Sequence, residues 1–434
     1  MYRLTGILGI FALMGIAWLM SSNRKAINWR TIAVGVSLQI IFAVIVLKTT
    51  PGEWLFDGAR VAVSKLLTFS DYGAKFVFGD LYLSSPDVAE SVKDNIPPGG
   101  FTDGFQVWNP KTQSFRALGT IVIMQVLPVI IFFASLTALF YHLGIMQRLV
   151  QGFAWVMSRT MKTSGAESLS AAGNIFVGMT EAPFLIRPFI AKMTTSEIMA
   201  IMTGGFATVA GSVMATYARF GVDPGHLLAA SVMSAPAALV MAKLIIPETE
   251  KTVTGTSMKM EIEKPYVNVI DAAAAGATDG LKLAVNVAAM IIAFIAIISL
   301  VNAILGWVGG FVGIDLSLKI IFGILFSPLA LLMGVSPKDM LEVGYLLGTK
   351  ISINEFVAYI DLIAIQDQIS QRSFTIATYA LCGFSNFASI AIQIGGISVL
   401  VPERRKDLAK LGLKAMIAGT LASWQTAAIA GILI

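Results

Sequence analysis

Two glutamates stand in otherwise apolar stretches of the chain, and each is followed about thirty residues later by a polar interruption of a long apolar segment. Glu181 precedes an interruption that begins at Thr208, and Glu355 precedes one that contains Asn386. A carboxylate at the centre of a membrane helix costs about 2.5–3.5 kcal/mol on insertion scales and is usually functional. With amide and hydroxyl groups beside it, such an acid could bind a polar solute or a hard cation. A purely structural role would instead place the glutamate at the membrane interface or pair it with a lysine such as Lys350.

The composition is that of a membrane protein. Of the 434 residues, 56% are hydrophobic and 13% are charged, whereas a soluble domain typically carries about 25% charged residues. A membrane-spanning helix needs about 20 mostly apolar residues. The chain is therefore long enough for many spans in one membrane domain.

Several classes of function do not fit the composition. One cysteine excludes an intramolecular disulfide, and two histidines leave no Cys/His metal cluster. The net charge of +5 is spread over short runs between apolar segments, which argues against nucleic-acid binding. No H-E-x-x-H, G-x-S-x-G or G-x-x-x-x-G-K-[ST] motif occurs, so we expect neither an enzyme nor direct ATP drive, and no cofactor.

Eight apolar segments are long enough to cross a bilayer, and two further regions look re-entrant. The eight spans cover residues 4–20, 31–47, 118–140, 198–220, 227–246, 283–305, 374–401 and 411–434. Regions 164–192 and 337–365 have apolar halves too short to cross, interrupted by Gly, Thr, Asn and Glu. We predict an all-α polytopic membrane protein with eight transmembrane helices and two re-entrant helical hairpins.

The two hairpins belong to a repeated pattern. In each half, a broken segment with a glutamate is followed by a span with a polar interruption and then by an apolar span. Lys and Arg are concentrated in every second connection, which places the two broken segments on opposite sides of the membrane. Inverted repeats with broken helices are typical of secondary transporters, whose substrate site lies at the midplane where the repeats meet.

This pattern divides the chain into four parts. Residues 1–160 are predicted to form scaffold and interfacial helices, and residues 247–336 a further scaffold helix with interfacial segments. Residues 161–246 and 337–434 hold the two hairpin and broken-helix repeats of a transport domain. The chain is compatible with multi-pass insertion in a plasma membrane, such as a bacterial inner membrane.

Four stretches carry a resemblance to the concentrative nucleoside transporters, also called nucleoside permeases. They are Gly173-Asn-Ile-Phe-Val-Gly-Met-Thr-Glu-Ala-Pro, Met202-Thr-Gly-Gly-Phe-Ala-Thr-Val-Ala-Gly-Ser, Ile353-Asn-Glu-Phe-Val-Ala-Tyr and Tyr379-Ala-Leu-Cys-Gly-Phe-Ser-Asn-Phe-Ala-Ser. Their order and spacing fit the family from about the first span to the last. The resemblance implies sodium-coupled nucleoside import by an elevator mechanism, in a homotrimer whose protomers each have their own pathway.

The resemblance also implies roles for individual residues. The nucleobase contacts would be Gly178, Met179, Thr180 and Glu181 of the first hairpin, with Val213 and Phe384 lining the base pocket. The ribose contacts would be Glu355, Asn386 and Ser389. The sodium ligands would be the Asn174 and Ser212 side chains with the carbonyls of Val177, Thr208 and Val209.

One departure from the family concerns Met179, where the family commonly has glutamine. A thioether cannot reproduce the hydrogen bonds of an amide to a base edge, so we expect base recognition to differ. Coupling to protons through Glu181 or Glu355 would also fit the sequence, because buried carboxylates can titrate near neutrality. The sequence would also fit a transporter of the same fold for a different nucleobase-containing or small polar solute. A channel is a further alternative.

Overall fold

The computed structural model describes residues 2–84, 106–109, 114–117, 121–252, 254–255, 266–311 and 313–434, and these residues are almost entirely helical. The α-helices in chain order are α1 Tyr2–Leu19, α2 Trp29–Lys48, α3 Thr50–Phe78, α4 Val122–Gln125, α5 Leu127–His142, α6 Ile145–Met161, α7 Gly165–Gly173, α8 Arg187–Ile190, α9 Thr195–Ala207, α10 Gly211–Arg219, α11 Pro224–Ile245, α12 Val269–Gly310, α13 Leu318–Leu332, α14 Met340–Ser352, α15 Glu355–Ala364, α16 Gln371–Leu381, α17 Phe387–Leu400 and α18 Arg405–Leu433. Short 3₁₀ helices cover Arg24–Ala26, Gly79–Ser84, Ala182–Ile186 and Pro402–Arg404. Two short strands, β1 Gln106–Asn109 and β2 Ser114–Ala117, pair antiparallel and were not predicted.

The predicted spans coincide with helices, and the helical membrane fold is confirmed. Six helical segments of the described chain are long and apolar enough to cross a membrane: Trp29–Lys48, Val122–His142, Thr195–Arg219, Pro224–Ile245, Val269–Gly310 and Pro402–Leu433. The first predicted span lies over α1, whose apolar part is shorter. Residues 118–120 of the third predicted span lie outside the described residues. The seventh predicted span is divided between α16 and α17, because the helix is interrupted between them.

Helix α12 is much longer than the predicted span 283–305, since it runs over 42 residues. Its first part packs closely on α5. A Cβ atom at Gly276 would lie 2.8 Å from the Ala134 carbonyl oxygen, and one at Gly280 would lie 2.8 Å from Ile131 Cα. Small residues one turn apart allow helix backbones to approach in this way. The most apolar window of α12 is not buried against the rest of the described chain.

Helix α13 was not predicted as a separate element. Its 15 residues are apolar but too few for a full span, and it lies against α14. The contact is between backbones, because a Cβ atom at Gly344 would lie 2.6 Å from the Gly323 carbonyl oxygen and 2.9 Å from Ser327 N. A glycine at 344 is what permits this approach.

Both predicted hairpins are short helical segments joined by turns. In the first, α7 is followed by the 3₁₀ helix Ala182–Ile186 and α8, and its start is fixed by a capping box between Ser164 and Glu167. Glu167 also forms a 2.7 Å ion pair with Lys243, which ties this hairpin to α11. In the second, α15 begins directly after Asn354, whose side-chain oxygen accepts a 2.9 Å hydrogen bond from Val357 N.

A buried polar cluster connects α3 and its following turn to the end of α10. The Arg219 guanidinium lies 3.3 Å from an Asp71 carboxylate oxygen and donates to the Tyr82 hydroxyl at 2.9 Å. Tyr82 in turn donates to Asp71. Side chains of Asp71 and Arg219 are 1% and 13% exposed, so the pair is largely desolvated.

We expect Arg219→Met to destabilise the protein by about 3–5 kcal/mol, because it leaves Asp71 buried without its cation. The measurement is thermal unfolding of the purified protein in detergent. The matched control is Arg60→Met, which removes the exposed pair between Arg60 and Asp223 and is expected to cost about 0–1 kcal/mol. Equal melting temperatures for the two variants would show that the buried cluster contributes no more than a surface pair.

Candidate functional site

The two helix interruptions lie against each other at a buried contact, here called the crossing. One separates α9 from α10 at residues 208–210, and the other separates α16 from α17 at residues 382–386. The Phe384 N–H donates to the Thr208 carbonyl at 3.3 Å, and the Ser385 hydroxyl donates to the Phe206 carbonyl at 2.7 Å. Each interruption therefore satisfies backbone groups that the other leaves free.

Gly383 makes this crossing possible. Its φ is +141°, a conformation that residues with a side chain rarely adopt. A Cβ atom at this position would lie 2.7 Å from the Phe206 carbonyl oxygen and 2.8 Å from the Ser423 hydroxyl. The close approach of the two backbones therefore requires glycine.

Glu355 lies beside the crossing and is held by two neutral donors. It is the first residue of α15 and is 5% exposed. One carboxylate oxygen accepts from the Tyr217 hydroxyl at 3.0 Å, and the other accepts from the Asn386 amide at 3.0 Å. Hydrogen bonds to a charged group are worth about 1.5–3 kcal/mol each, so this arrangement orients the acid strongly.

Asn386 uses both of its amide atoms. Its nitrogen binds Glu355, and its oxygen accepts a 2.9 Å hydrogen bond from Ser389 N, which caps the start of α17. Ser389 is buried on the inner face of the same first turn. The structure thus brings together the three residues that the resemblance assigns to a ribose.

Lys350 does not form an ion pair with Glu355. Its ammonium donates to the Ala380 carbonyl at 2.9 Å, and its side chain is fully buried. The purely structural role considered for Glu355, a pair with Lys350, is therefore not what the chain forms.

Glu181 is in a different environment. It follows the turn of the first hairpin, where Glu181 N and Ala182 N both donate to the Gly178 carbonyl, at 3.1 and 3.0 Å. Its carboxylate folds back over Gly178, since a Cβ atom there would lie 2.1 Å from a Glu181 oxygen. Unlike Glu355, the Glu181 residue is exposed. The two acids therefore do not share one environment.

The tip of the first hairpin packs on α9 and α17. A Cβ atom at Gly205 would lie 2.7 Å from Met179 Cβ, and one at Gly396 would lie 2.8 Å from Thr180 Cγ2. Val213 is buried in the first turn of α10, and Phe384 is partly buried in the α16–α17 interruption. The residues that the resemblance assigns to a base therefore come from several elements: the first hairpin, α10 and the α16–α17 interruption.

The residues assigned to sodium offer free oxygen atoms. Asn174 is 1% exposed, its amide nitrogen donates to the Ser170 carbonyl at 3.0 Å, and within the described residues its oxygen has no hydrogen-bond partner. In the described chain the Val177 and Val209 carbonyls accept no hydrogen bond. Hard cations prefer oxygen ligands, including uncharged carbonyls, so this donor set fits a sodium ion.

Two contacts bring these residues into one region. Gly211 N donates to the Phe176 carbonyl at 3.1 Å, and a Cβ atom at Gly204 would lie 3.1 Å from the Asn174 amide nitrogen. Thr208 presents its carbonyl to Phe384, while its hydroxyl donates to the Gly204 carbonyl at 2.9 Å. Ser212 is buried at the start of α10. The loop at 174–178 therefore lies against the α9–α10 interruption.

Two polar residues of this region were missed from the sequence. Tyr217 donates to Glu355 and stacks on Tyr359 at 4.4 Å between ring centroids. Gln393 is buried on α17 and its amide donates to the Met202 carbonyl at 3.0 Å. An aromatic in an apolar helix is usually packing, but the one-turn spacing of Val213 and Tyr217 on α10 could have indicated a shared inner face.

Three family models match the chain. A model described as "Na+ dependent nucleoside transporter N-terminus" matches residues 8–81, and one described as "Nucleoside recognition" matches residues 123–223. A model described as "Na+ dependent nucleoside transporter C-terminus" matches residues 226–431. Together these matches extend over most of the sequence.

Individual proteins are similar over nearly the whole chain. An uncharacterized transporter of Haemophilus influenzae is 43% identical, covering 99% of this chain and 98% of that protein. Sodium/nucleoside cotransporter 1 of Mus musculus is 38% identical over 99% of this chain, which spans 64% of that longer protein. The structure of CNTnw in an inward-facing substrate-bound state is 41% identical, with a TM-score of 0.87, covering 100% of this chain and 98% of that one. Variants of CNTnw have also been solved in outward-facing and intermediate states.

We expect Gly383→Ala to lower the melting temperature strongly, because the new Cβ meets the Phe206 carbonyl and the backbone conformation is unfavourable. The matched control is Gly395→Ala in α17, where the new Cβ meets no atom of the described chain within 4 Å apart from its own helix backbone and chain neighbours. A glycine inside a helix costs about 0.5–1 kcal/mol relative to alanine, so this control is expected to be neutral or slightly stabilising. If Gly383→Ala is as stable as the control, the close crossing of the two interruptions is wrong.

Proposed function

Because the chain belongs to the Na+ dependent nucleoside transporter family, we propose that it imports nucleosides by sodium symport. The observation that supports this most directly is the position of Glu355. A buried acid held by a phenol and an amide, at the crossing of two broken helices, offers the acceptors and donors that a ribose with several hydroxyl groups requires. In the membrane, irregular backbone of this kind is tolerated where it lines a site.

Ribose hydroxyls would bind at Glu355, Asn386 and Ser389. Tyr217 and Asn386 each donate to one carboxylate oxygen of Glu355, and each oxygen keeps a further lone pair for a substrate hydroxyl. The nucleobase would extend toward Gly178, Met179, Thr180 and Glu181, with Val213 and Phe384 at its side. Sodium would bind between Asn174, Ser212 and the carbonyls of Val177, Thr208 and Val209.

Sodium would supply positive charge and bind the first hairpin to the α9–α10 interruption. The Asn174 side-chain oxygen is buried without a partner in the described chain, which costs about 1–3 kcal/mol in the absence of an ion or water. Binding an ion there would remove that cost. The same ion would order the neighbouring turn at Gly178, and this couples its binding to that of the base.

We propose an elevator mechanism in which the two hairpin repeats, 161–246 and 337–434, move as one body against residues 1–160 and 247–336. Several contacts cross-link the two repeats. The Arg404 guanidinium donates to the Ala191 and Met193 carbonyls at 3.0 and 2.8 Å, and the two helix interruptions bind each other. The solved states of CNTnw are consistent with a moving body of this kind.

A homotrimer is proposed as the functional assembly, with α12 as a candidate contact. The most apolar window of α12 is not covered by the rest of the described chain, and apolar helix faces in a membrane bind either lipid or another helix.

Uptake of labelled uridine and adenosine into proteoliposomes tests the function. An inward sodium gradient is expected to drive accumulation, whereas a proton gradient alone is not. Asn174→Ala should raise the sodium concentration needed for half-maximal uptake and leave the nucleoside KM near normal at saturating sodium. Accumulation driven by protons alone would instead support coupling through a carboxylate. Absence of uptake by folded protein under every gradient would contradict nucleoside transport.

Glu355→Gln is expected to lower kcat/KM for nucleosides about 10- to 100-fold, because hydrogen bonds to a charged acceptor are worth about 1.5–3 kcal/mol. Glu181→Gln should also lower uptake. The matched control is Glu342→Gln on α14 of the same hairpin, whose carboxylate pairs with Lys319 at 2.9 Å on a more exposed surface. Near-normal uptake by the Glu355 variant would refute the ribose assignment.

A further inference from the structure

The buried face of α17 carries a line of polar side chains that extends beyond the ribose residues. Asn386 caps the helix, Ser389 follows in its first turn, and Gln393 lies one turn further on the same face. Seven residues of α-helix from Asn386 to Gln393 advance about 10 Å along the axis. That displacement is comparable to the length of a nucleoside.

The orientation of the Gln393 amide is fixed by one hydrogen bond. Its nitrogen donates to the Met202 carbonyl of α9 at 3.0 Å. If the amide were turned by 180°, its oxygen would face the carbonyl oxygen, and neither atom could donate. The side-chain oxygen of Gln393 therefore points away from Met202. Gln393 is 1% exposed, and its oxygen has no partner in the described chain. A buried acceptor without a donor needs a partner such as a bound ligand or a water molecule, and the position of Gln393 beside the hairpin tip favours a ligand.

The surroundings of Gln393 are the tip of the first hairpin. A Cβ atom at Gly205 would lie 2.3 Å from the Gln393 amide nitrogen and 2.7 Å from Met179 Cβ. The side chains of Gln393 and Met179 therefore both pack against Gly205 and lie next to each other. One turn along α17, Gly396 faces Thr180. Met179 supplies no hydrogen-bonding amide to this region, and Gln393 supplies one from the facing helix.

We propose that Gln393 is a specificity-determining residue whose side-chain oxygen accepts a hydrogen bond from an N–H group on the edge of the nucleobase. This inference rests on the proposed nucleoside transport. Since the oxygen only accepts, it selects bases that present a donor: the exocyclic amino group of adenine or cytosine, or the ring N–H of uracil. A base without a donor at that edge leaves the buried oxygen unpaired.

The test compares substrates that differ by one donor. Uptake of adenosine is measured against purine riboside, which lacks the amino group, and uptake of uridine against 3-methyluridine, which lacks the ring N–H. For the wild-type protein at least one ratio of kcat/KM is expected to be about five- to tenfold in favour of the donor, the value of one hydrogen bond. Gln393→Met should bring that ratio close to one by weakening only the substrate with the donor.

Two further variants separate base recognition from packing. Protonated Gln393→Glu, whose O–H can donate to the Met202 carbonyl in place of the amide nitrogen, keeps an acceptor at the same position and should retain the preference. Gln425→Met removes a second fully buried glutamine whose oxygen is unpartnered in the described chain and whose amide binds Gln39 of α2 instead of the hairpin. This variant should leave both ratios unchanged.

The outcomes distinguish this inference from the proposed function. If the wild-type protein accumulates no nucleoside, nucleoside transport itself is wrong. If it accumulates nucleosides but both wild-type ratios are near one, Gln393 does not read a base donor, whatever the variants do. A preference that persists in Gln393→Met likewise assigns Gln393 to packing alone.

Discussion

The structure depends on how two interrupted helices satisfy their free backbone groups. In a membrane, an unsatisfied N–H or carbonyl has no water to bind and costs several kcal/mol. Here the two interruptions supply each other: the amide of Phe384 binds the Thr208 carbonyl, and the Ser385 hydroxyl binds the Phe206 carbonyl. Only a glycine at 383 allows the backbones to come this close. The polar site forms at this crossing, because the crossing is where the helices can open without exposing backbone to lipid.

One side chain both starts a helix and orients Glu355 at the crossing. The Asn386 oxygen begins α17 and its nitrogen holds Glu355, so the helix start and the acid are positioned by one side chain. The Tyr217 hydroxyl of α10 donates the second hydrogen bond to the Glu355 carboxylate. Glu355 is therefore oriented by two neutral donors from two different elements, and any relative movement of α10 and α17 changes its hydrogen bonding. The orientation of Glu355 therefore depends on α10 and α17 being packed together.

The sequence predicted the helical membrane fold and the two helical hairpins, because long apolar segments and their polar interruptions are conspicuous. The resemblance to a family, and not the pattern of residues, named Glu355, Asn386 and Ser389 together, and their role in binding stays a prediction. The sequence did not predict α13, whose 15 apolar residues fall below a span, or the full length of α12, whose ends are not apolar enough. Tyr217 and Gln393 were missed because their roles depend on partners far away in the sequence: Glu355 is 138 residues from Tyr217, and Met202 is 191 residues from Gln393. The different exposures of Glu181 and Glu355 could not be predicted for the same reason.

The length of α12 has a consequence for the bilayer around the protein. A helix of 42 residues is about 63 Å long at 1.5 Å per residue, roughly twice the 30 Å hydrocarbon core. It must therefore be steeply inclined or extend well into the headgroup region, and changes in lipid chain length alter how much of it is matched to hydrocarbon. Mismatch costs fractions of a kcal/mol per ångström. The thickness of the host membrane is therefore expected to change the free energy of the folded protein through α12.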